Sequence, residues 1–334
     1  MADNVRVAVV GVGFVGGQAH VPAFRKIPGS DMIVLCDKLE NRVKALSEKY
    51  SVKYCLDYEE ILNNPKVDAV VLSVPTPFHF ELAIKAMQKG KHVLCEMPLA
   101  PTIEQIRKMA ETAKKSKVVL MPDLNFRFAP IYIKIKEMIN EGVVRNPIAT
   151  HYREFIPAAA LAKQWPAGSW AWDIGKSGGY PDFTLSVWSI DLLRWLFEDE
   201  ITSVEWMKNY AQLKEFGGIL GYNTMGIIKF RKGIVGSLHY GATVNQLAST
   251  SRLEVYGDNT NVLHAVWNNK IVLYGSEPEP KEMPVEAKGT RMWGHYQIDN
   301  HFIECIQQNK QPQVTAEDAV KAQEIAQKMV EKPK

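Results

Sequence analysis

Gly11-Val12-Gly13-Phe14-Val15-Gly16 spaces three glycines as a phosphate-holding turn between a strand and a helix requires. The first glycine permits the tight turn, the second lets the backbone approach a pyrophosphate, and the third allows close helix–strand packing. Phe14 and Val15 open the helix, whose unpaired N–H groups and positive end favour an anion. Asp37 ends the next apolar stretch, 21 residues after Gly16, where a carboxylate can accept hydrogen bonds from the adenosine ribose. A carboxylate there repels a 2′-phosphate, so NAD is the expected cofactor. Lys38 and Arg42 can each reach such a phosphate and keep NADP open. The competing reading is that the glycines only turn the chain.

No other local motif carries chemistry. The eight histidines are scattered without a His-x-x-x-His pair or a Cys/His cluster, so no metal site is expected. No Gly-x-Ser-x-Gly nucleophile turn occurs. Cys36, Cys55, Cys95 and Cys305 form no Cys-x-x-Cys pair, three of them fall in or near predicted strands as small buried hydrophobes, and a reducing compartment is expected.

Positioning such a turn takes a parallel sheet, and the first third of the chain alternates strand and helix accordingly. Val5–Val10, Met32–Cys36, Val67–Val74, His92–Cys95 and Val118–Met121 read as strands, with Val5–Val10 and Val67–Val74 as apolar runs of the kind covered on both faces. Helices are expected from the glycine turn to about Ile27, over Leu39–Tyr50, from Phe78 to Gly90, and from a Thr102/Gln105 capping box to Lys115. After Pro130 the pattern changes. A helix ends at Gly142, and longer strands follow over Ile148–Phe155, Thr202–Tyr210, Tyr222–Phe230, Ile234–Gly241, Arg252–Tyr256, Asn261–Val266 and Ile271–Tyr274. Arg231-Lys232-Gly233 reads as a hairpin turn. Helices are expected over Leu185–Phe197, Tyr296–Gln308 and Ala316–Val330. The fold class is therefore α/β: a doubly wound parallel domain over 1–127, then an α/β domain with a large, mostly antiparallel sheet over 128–334.

The bulk properties agree. A chain of 334 residues exceeds what one core usually supports. A net charge of +3 with the signs interspersed argues against a nucleic-acid partner. The first apolar run is too short to span a membrane and lacks the layout of a signal peptide, so a cytoplasmic protein is expected.

Further segments identify a resemblance that covers nearly the whole chain. Gly11–Phe24 with His20, Val74-Pro75-Thr76-Pro77-Phe78-His79, Gly90–Ala100 around Glu96-Met97-Pro98, Asn125-Phe126-Arg127-Phe128, and Ser177-Gly178-Gly179 followed by Ile190–Leu193 resemble the Gfo/Idh/MocA oxidoreductases. The resemblance implies a Rossmann domain, and a second domain whose open sheet makes homodimers or homotetramers. It also implies hydride exchange between a nicotinamide and a carbinol carbon of a sugar or cyclitol. Ser73, Pro75, His79, Glu96, Met97 and Asn125 then join the glycine turn, Asp37, Lys38 and Arg42 around the cofactor. Met97, Arg127, Trp172, Thr184 and Trp188 fall on the substrate pocket.

The chain departs from the family where protons move. The family's Glu-Lys-Pro lysine falls on Met97, its histidine on Trp188 and its aspartate on Thr184. A thioether has no proton to transfer, and an indole is no base. A positioned acid–base group is typically worth about 10²–10⁴-fold in rate. Tyr180, Asp182 and Lys176, in the loop before that helix, are the candidate substitutes, against a plain surface-loop reading. His239 reads as a satisfied strand histidine. Trp165, Trp170, Trp172 and Trp188 suit either stacking on a sugar ring or core and interface packing. The expected activity is a nicotinamide-dependent oxidoreductase with a non-standard proton-transfer set. The alternative is a non-catalytic dinucleotide-binding sensor or assembly protein.

Overall fold

The computed structural model describes residues 4–248, 250–266, 270–286 and 293–330. The chain forms two compact units, Met1–Phe128 with Lys288–Lys321, and Ala129–Ala287 with Ala322–Lys334. The helix His295–Gln308 falls in the first of these units.

In the first unit six strands form one parallel sheet: β1 (Val5–Val10), β2 (Ser30–Cys36), β3 (Lys53–Cys55), β4 (Ala69–Leu72), β5 (His92–Cys95) and β6 (Leu120–Pro122). Their order is β3-β2-β1-β4-β5-β6, that of a doubly wound dinucleotide-binding sheet with its switch point between β1 and β4. Val7, Val9, Ala69, Val70, Val71 and Leu94 are fully buried, as the continuous apolar runs require. The helix Ile103–Ser116 starts on the expected capping box, with both reciprocal bonds between Thr102 and Gln105 present. Two elements went unread: β3, and the helix Tyr58–Asn63, which Asp57 caps by accepting from the Glu59 N–H at 2.9 Å.

The helix after the glycine turn is irregular. Gly16–His20 is a π-helical segment, in which the Val21 N–H donates to the Gly16 carbonyl five residues back, and Val21–Phe24 continues as α-helix. Pro22, at the start of that α-helical turn, has no N–H to donate, so the wider turn breaks no bond that it could have made. His20 is wholly buried as a result of this path. The helix His295–Gln308 packs against this first helix and against β1 and β5.

In the second unit eight strands follow: β7 (Pro147–Pro157), β8 (Ile201–Leu213), β9 (Ile219–Phe230), β10 (Val235–Val244), β11 (Thr250–Gly257), β12 (Val262–Val266), β13 (Lys270–Tyr274) and β14 (Lys281–Pro284). The order is β14-β13-β12-β11-β7-β10-β9-β8, antiparallel except where β7 and β10 pair in parallel. The expected hairpin joins β9 to β10, with Gly233 at φ 102°. Strand alternation separates two faces. Tyr152, Tyr222, Leu238, Tyr240 and Leu253 are buried on one, against the long buried helix Pro181–Phe197 among others. Met207, Met225, Ile227 and Val235 are exposed on the other.

Candidate functional site

The three glycines meet different demands. A Cβ on Gly11 would lie 2.5 Å from the Ser73 carbonyl oxygen, and the residue sits at φ +84°. A Cβ on Gly16 would lie 2.0 Å from the Gly11 carbonyl oxygen. Both glycines are therefore required by the fold. Gly13 is not: its φ is ordinary, and the nearest atom to a Cβ there is Arg42 Nη1 at 3.7 Å. Among the described residues nothing excludes a side chain at Gly13, so the open space above it is what a phosphate approaching the backbone would use. Asp37 borders the same turn. Its carboxylate accepts from the Val12 N–H at 2.9 Å and from the Leu39 N–H at 2.9 Å, and Arg42 Nη1 lies 3.7 Å away. Lys38 is beside the exposed Phe78, with Nζ 5.5 Å from the ring centroid. The residues present thus fit a dinucleotide.

Other residues assigned to the cofactor are bound up in the protein itself. Ser73 donates its N–H to the Val10 carbonyl beside the glycine turn. His79 is buried, with Nε2 2.8 Å from the Val74 carbonyl oxygen and Nδ1 2.9 Å from that of Pro98. Both ring nitrogens are engaged by backbone, so His79 braces the Pro75 loop against the Met97-Pro98 segment and contacts no ligand through them. Burial lowers its pKa. Met97 is 4% exposed. Arg127 pairs with Asp318 at 2.8 Å.

Beneath Met97 the first unit holds a buried ionisable cluster. Glu96 Oε2 accepts from the Met97 N–H at 3.1 Å. Glu96 Oε1 lies 3.2 Å from His20 Nε2, and His20 Nδ1 lies 2.9 Å from Asp299 Oδ1. Asp123 and His295 complete the group, and Asn125 Nδ2 lies 3.2 Å from the His295 ring nitrogens. All are buried. Burial opposes the His20 cation, yet the Asp299 carboxylate, with Asp123 and Glu96, outweighs it and raises the His20 pKa well above its usual value. Burial pushes Glu96 up, but the hydrogen bonds and charges of His20 and His295 bring it below the usual carboxylate range. Asp123 is pushed up to about 7, by burial and then by the Glu96 charge. Sequence spacing gave no sign of this group, whose members come from positions as far apart as 20 and 299.

The candidate proton carriers lie in the second unit and differ in setting. Asp182 is 1% exposed, and its Oδ2 accepts from Thr224 at 2.7 Å and Tyr210 at 3.0 Å. Burial raises its pKa. Tyr180 stands edge-on to Tyr210 with centroids 5.5 Å apart. Tyr180, Asp182, Lys208 and Tyr210 line one small cleft. Lys176 is brought to no such group. It pairs with Asp173 at 2.8 Å, and both are well exposed. Thr184 is buried and Trp188 partly exposed, one turn apart on the helix Pro181–Phe197. Trp172 donates its indole N–H to the Trp165 carbonyl at 2.9 Å, and Trp165 meets Trp170 edge-on, so three of the tryptophans form one local group. His239 stands edge-on to Phe155, as a strand histidine packed by its neighbours.

Comparison with known proteins covers both units. The model of an oxidoreductase family's NAD-binding Rossmann fold matches residues 5–124. The model of the same family's C-terminal alpha/beta domain matches residues 136–334. The scyllo-inositol 2-dehydrogenase (NAD(+)) of Bacillus subtilis is 27% identical over 329 residues, spanning 96% of this chain and 91% of that protein. The 1,5-anhydro-D-fructose reductase of Ensifer adhaerens is 26% identical over 322 residues, spanning 94% and 92%. Among solved structures, levoglucosan dehydrogenase in complex with NADH and levoglucosan superposes with a TM-score of 0.84 at 19% identity, over 98% of this chain and 96% of that one, a likeness of fold.

Proposed function

This chain belongs to the Gfo/Idh/MocA oxidoreductase family, and we propose that it exchanges hydride between NAD and a carbinol or carbonyl carbon of a sugar, cyclitol or related polyol, using its own proton-transfer set. The observation that carries the reading is the glycine turn, where a Cβ on Gly13 would meet only Arg42 Nη1, at 3.7 Å, which leaves room for a pyrophosphate. When bound, the dinucleotide supplies the hydride donor or acceptor. Asp37 offers its carboxylate to the ribose hydroxyls and disfavours a 2′-phosphate. Arg42, 3.7 Å from it, is the group that would tolerate NADP. The polyol class is supported by the substrates named for the inositol dehydrogenase and the anhydrofructose reductase.

Met97 takes no part in moving the hydroxyl proton. Asp182 is the residue we assign to that task, with Tyr180 beside it. Its burial keeps it protonated to higher pH than an exposed carboxyl, and two hydroxyl donors hold it in place. Lys176, held by Asp173 at the surface, is the weakest of the three. The exposed apolar residues Met207, Met225, Ile227 and Val235 support a homo-oligomer formed through the open face of the eight-stranded sheet. No described helix is long and apolar enough to cross a membrane, and a cytoplasmic site of action goes with the free cysteines.

The test is a fluorescence titration with NADH and NADPH, followed by absorbance assays over sugars, cyclitols and keto-sugars. Tight NADH binding with turnover of a polyol supports the proposal. Tight binding without turnover across the panel would leave a dinucleotide-binding sensor. Failure to bind either dinucleotide would overturn the assignment of the glycine turn.

A further inference from the structure

His20, Glu96, Asp123 and His295 come from four separate segments of the first unit, yet each offers one nitrogen or oxygen within 4.8 Å of the other three. His20 Nε2 is 3.2 Å from Glu96 Oε1 and 3.4 Å from Asp123 Oδ2. His295 Nε2 is 3.6 Å from each of the same two oxygens. Charge-assisted N–H···O bonds run at about 2.7–2.9 Å, so these contacts are long for a hydrogen-bonded knot. Four ligands held about 2.0–2.1 Å from a tetrahedral centre stand about 3.3–3.4 Å from one another. These four nitrogen–oxygen separations bracket that edge length, and the remaining two pairs lie within 4.8 Å.

His20 and Glu96 also have outer contacts that fit. A ligating imidazole commonly gives its second nitrogen to a carboxylate, which fixes the tautomer and the ring direction. His20 does so, with Nδ1 2.9 Å from Asp299 Oδ1 and Nε2 turned to the cluster. Glu96 has its Oε2 held by the Met97 N–H, leaving Oε1 on the cluster side. The His20 and His295 rings meet edge-on at 83°, with centroids 5.3 Å apart. Two carboxylates balance the charge of a divalent ion, and two imidazoles complete a nitrogen–oxygen set that suits zinc. The geometry points to a tetrahedral zinc-type site formed by His20, Glu96, Asp123 and His295, with Asp299 orienting His20. Four protein ligands leave no open position, so the site is structural. It would fasten the first helix, the ends of β5 and β6 and the helix His295–Gln308 into one body. This inference is independent of the hydride-transfer reading.

The experiment uses the full chain without a histidine tag. Metal content is measured on the protein as isolated, then after dialysis against a chelator and reloading with zinc or cobalt. The expected result is one ion per chain, a melting temperature lowered by several degrees on chelation and restored by zinc, and the intense visible spectrum of tetrahedral cobalt. His295→Gln should lose the stoichiometric ion, and Asp299→Asn should weaken zinc about 10–100-fold. No uptake of zinc or cobalt by the dialysed wild type overturns the proposal, as does a weak octahedral cobalt spectrum. Undiminished binding by a folded His295→Gln protein also overturns it, since the ion would then sit elsewhere. The cobalt spectrum of the wild type decides the matter even if the variants do not fold.

Discussion

Replacing Gly13 by alanine separates what the fold needs from what the cofactor needs. The added Cβ would meet only Arg42 Nη1, at 3.7 Å, an ordinary contact with the end of a flexible side chain. Backbone φ at Gly13 is one an alanine adopts freely, so the substitution removes unfolded-state freedom without native strain, an effect of about 0.4–1 kcal/mol in favour of the fold. At about 2–4 °C per kcal/mol for large domains, the melting temperature should stay level or rise by up to about 4 °C. The same Cβ projects into the space through which the pyrophosphate must approach. A displacement that costs the complex about 1.4–2.8 kcal/mol weakens binding 10–100-fold. NADH fluorescence titration and a thermal melt on one preparation read both quantities. Gly16→Ala is the contrasting control, because its Cβ falls 2.0 Å from the Gly11 carbonyl oxygen and must damage the turn itself. Wild-type NADH affinity in Gly13→Ala would refute the reasoning, because the open space would then not be the phosphate's approach. So would a large fall in melting temperature.

Four further outcomes follow from the same geometry. Asp37→Ala should lower NAD affinity at least about tenfold and move the NAD/NADP ratio toward parity, since it removes the carboxylate facing the ribose and frees Arg42; an unchanged ratio in parallel titrations contradicts the assignment. Asp182→Asn keeps an amide oxygen able to accept from both Thr224 and Tyr210, so folding should change little while turnover falls about 10²–10⁴-fold; unchanged kcat/KM with unchanged NADH binding removes Asp182 from the mechanism. Burial pushes Glu154 up to about 7, against a reference value of 4.5. Its folded pKa lies above its unfolded one, so the wild type loses stability as pH rises from about 4.5 to about 7. Glu154→Gln should abolish that loss, a difference of about 1–3 kcal/mol; identical pH slopes in urea denaturation at pH 5 and pH 8 would contradict it. Ile227→Lys, on the open sheet face where Ile227 is 61% exposed, should lower the mass seen by light scattering and leave the monomer folded; an unchanged mass places the interface elsewhere.

Most of the first unit is legible in sequence because its physics is local. A parallel strand covered on both faces reads as a near-continuous apolar run; β4 is apolar throughout, and β1 is apolar but for Arg6. The capping box announces a helix start in four residues. What escaped was short or half-apolar. In β3 only Cys55 is buried, which leaves no pattern to detect, and Ala158–Gln164 is a seven-residue helix between a strand and a tryptophan-rich loop. The place of the helix His295–Gln308 in the first unit has no local mark, because an amphipathic helix carries the same period whichever core receives it. The site divides along the same line. The glycine turn with Asp37 is a contiguous device and was readable. The cluster around Glu96 is assembled by the tertiary fold from positions 20, 96, 123, 295 and 299, and a search for ligand spacing on one helix has no access to it.

Met97, where the resemblance places the family's lysine, shows why a lysine there is not needed by the fold. If residue 97 supplied the counter-charge for Glu96, replacing an ammonium by a thioether would strand a buried carboxylate, at a cost of several kcal/mol. The structure gives Glu96 other partners: His20 and His295 face its Oε1, and the backbone N–H of residue 97, which any residue but proline provides, holds Oε2. The side chain at 97 is thereby released from electrostatics. A buried methionine fills that place. On the proposed function the dinucleotide turn is kept and the proton is left to another residue, the role proposed above for Asp182, which is buried and accepts from Thr224 and Tyr210.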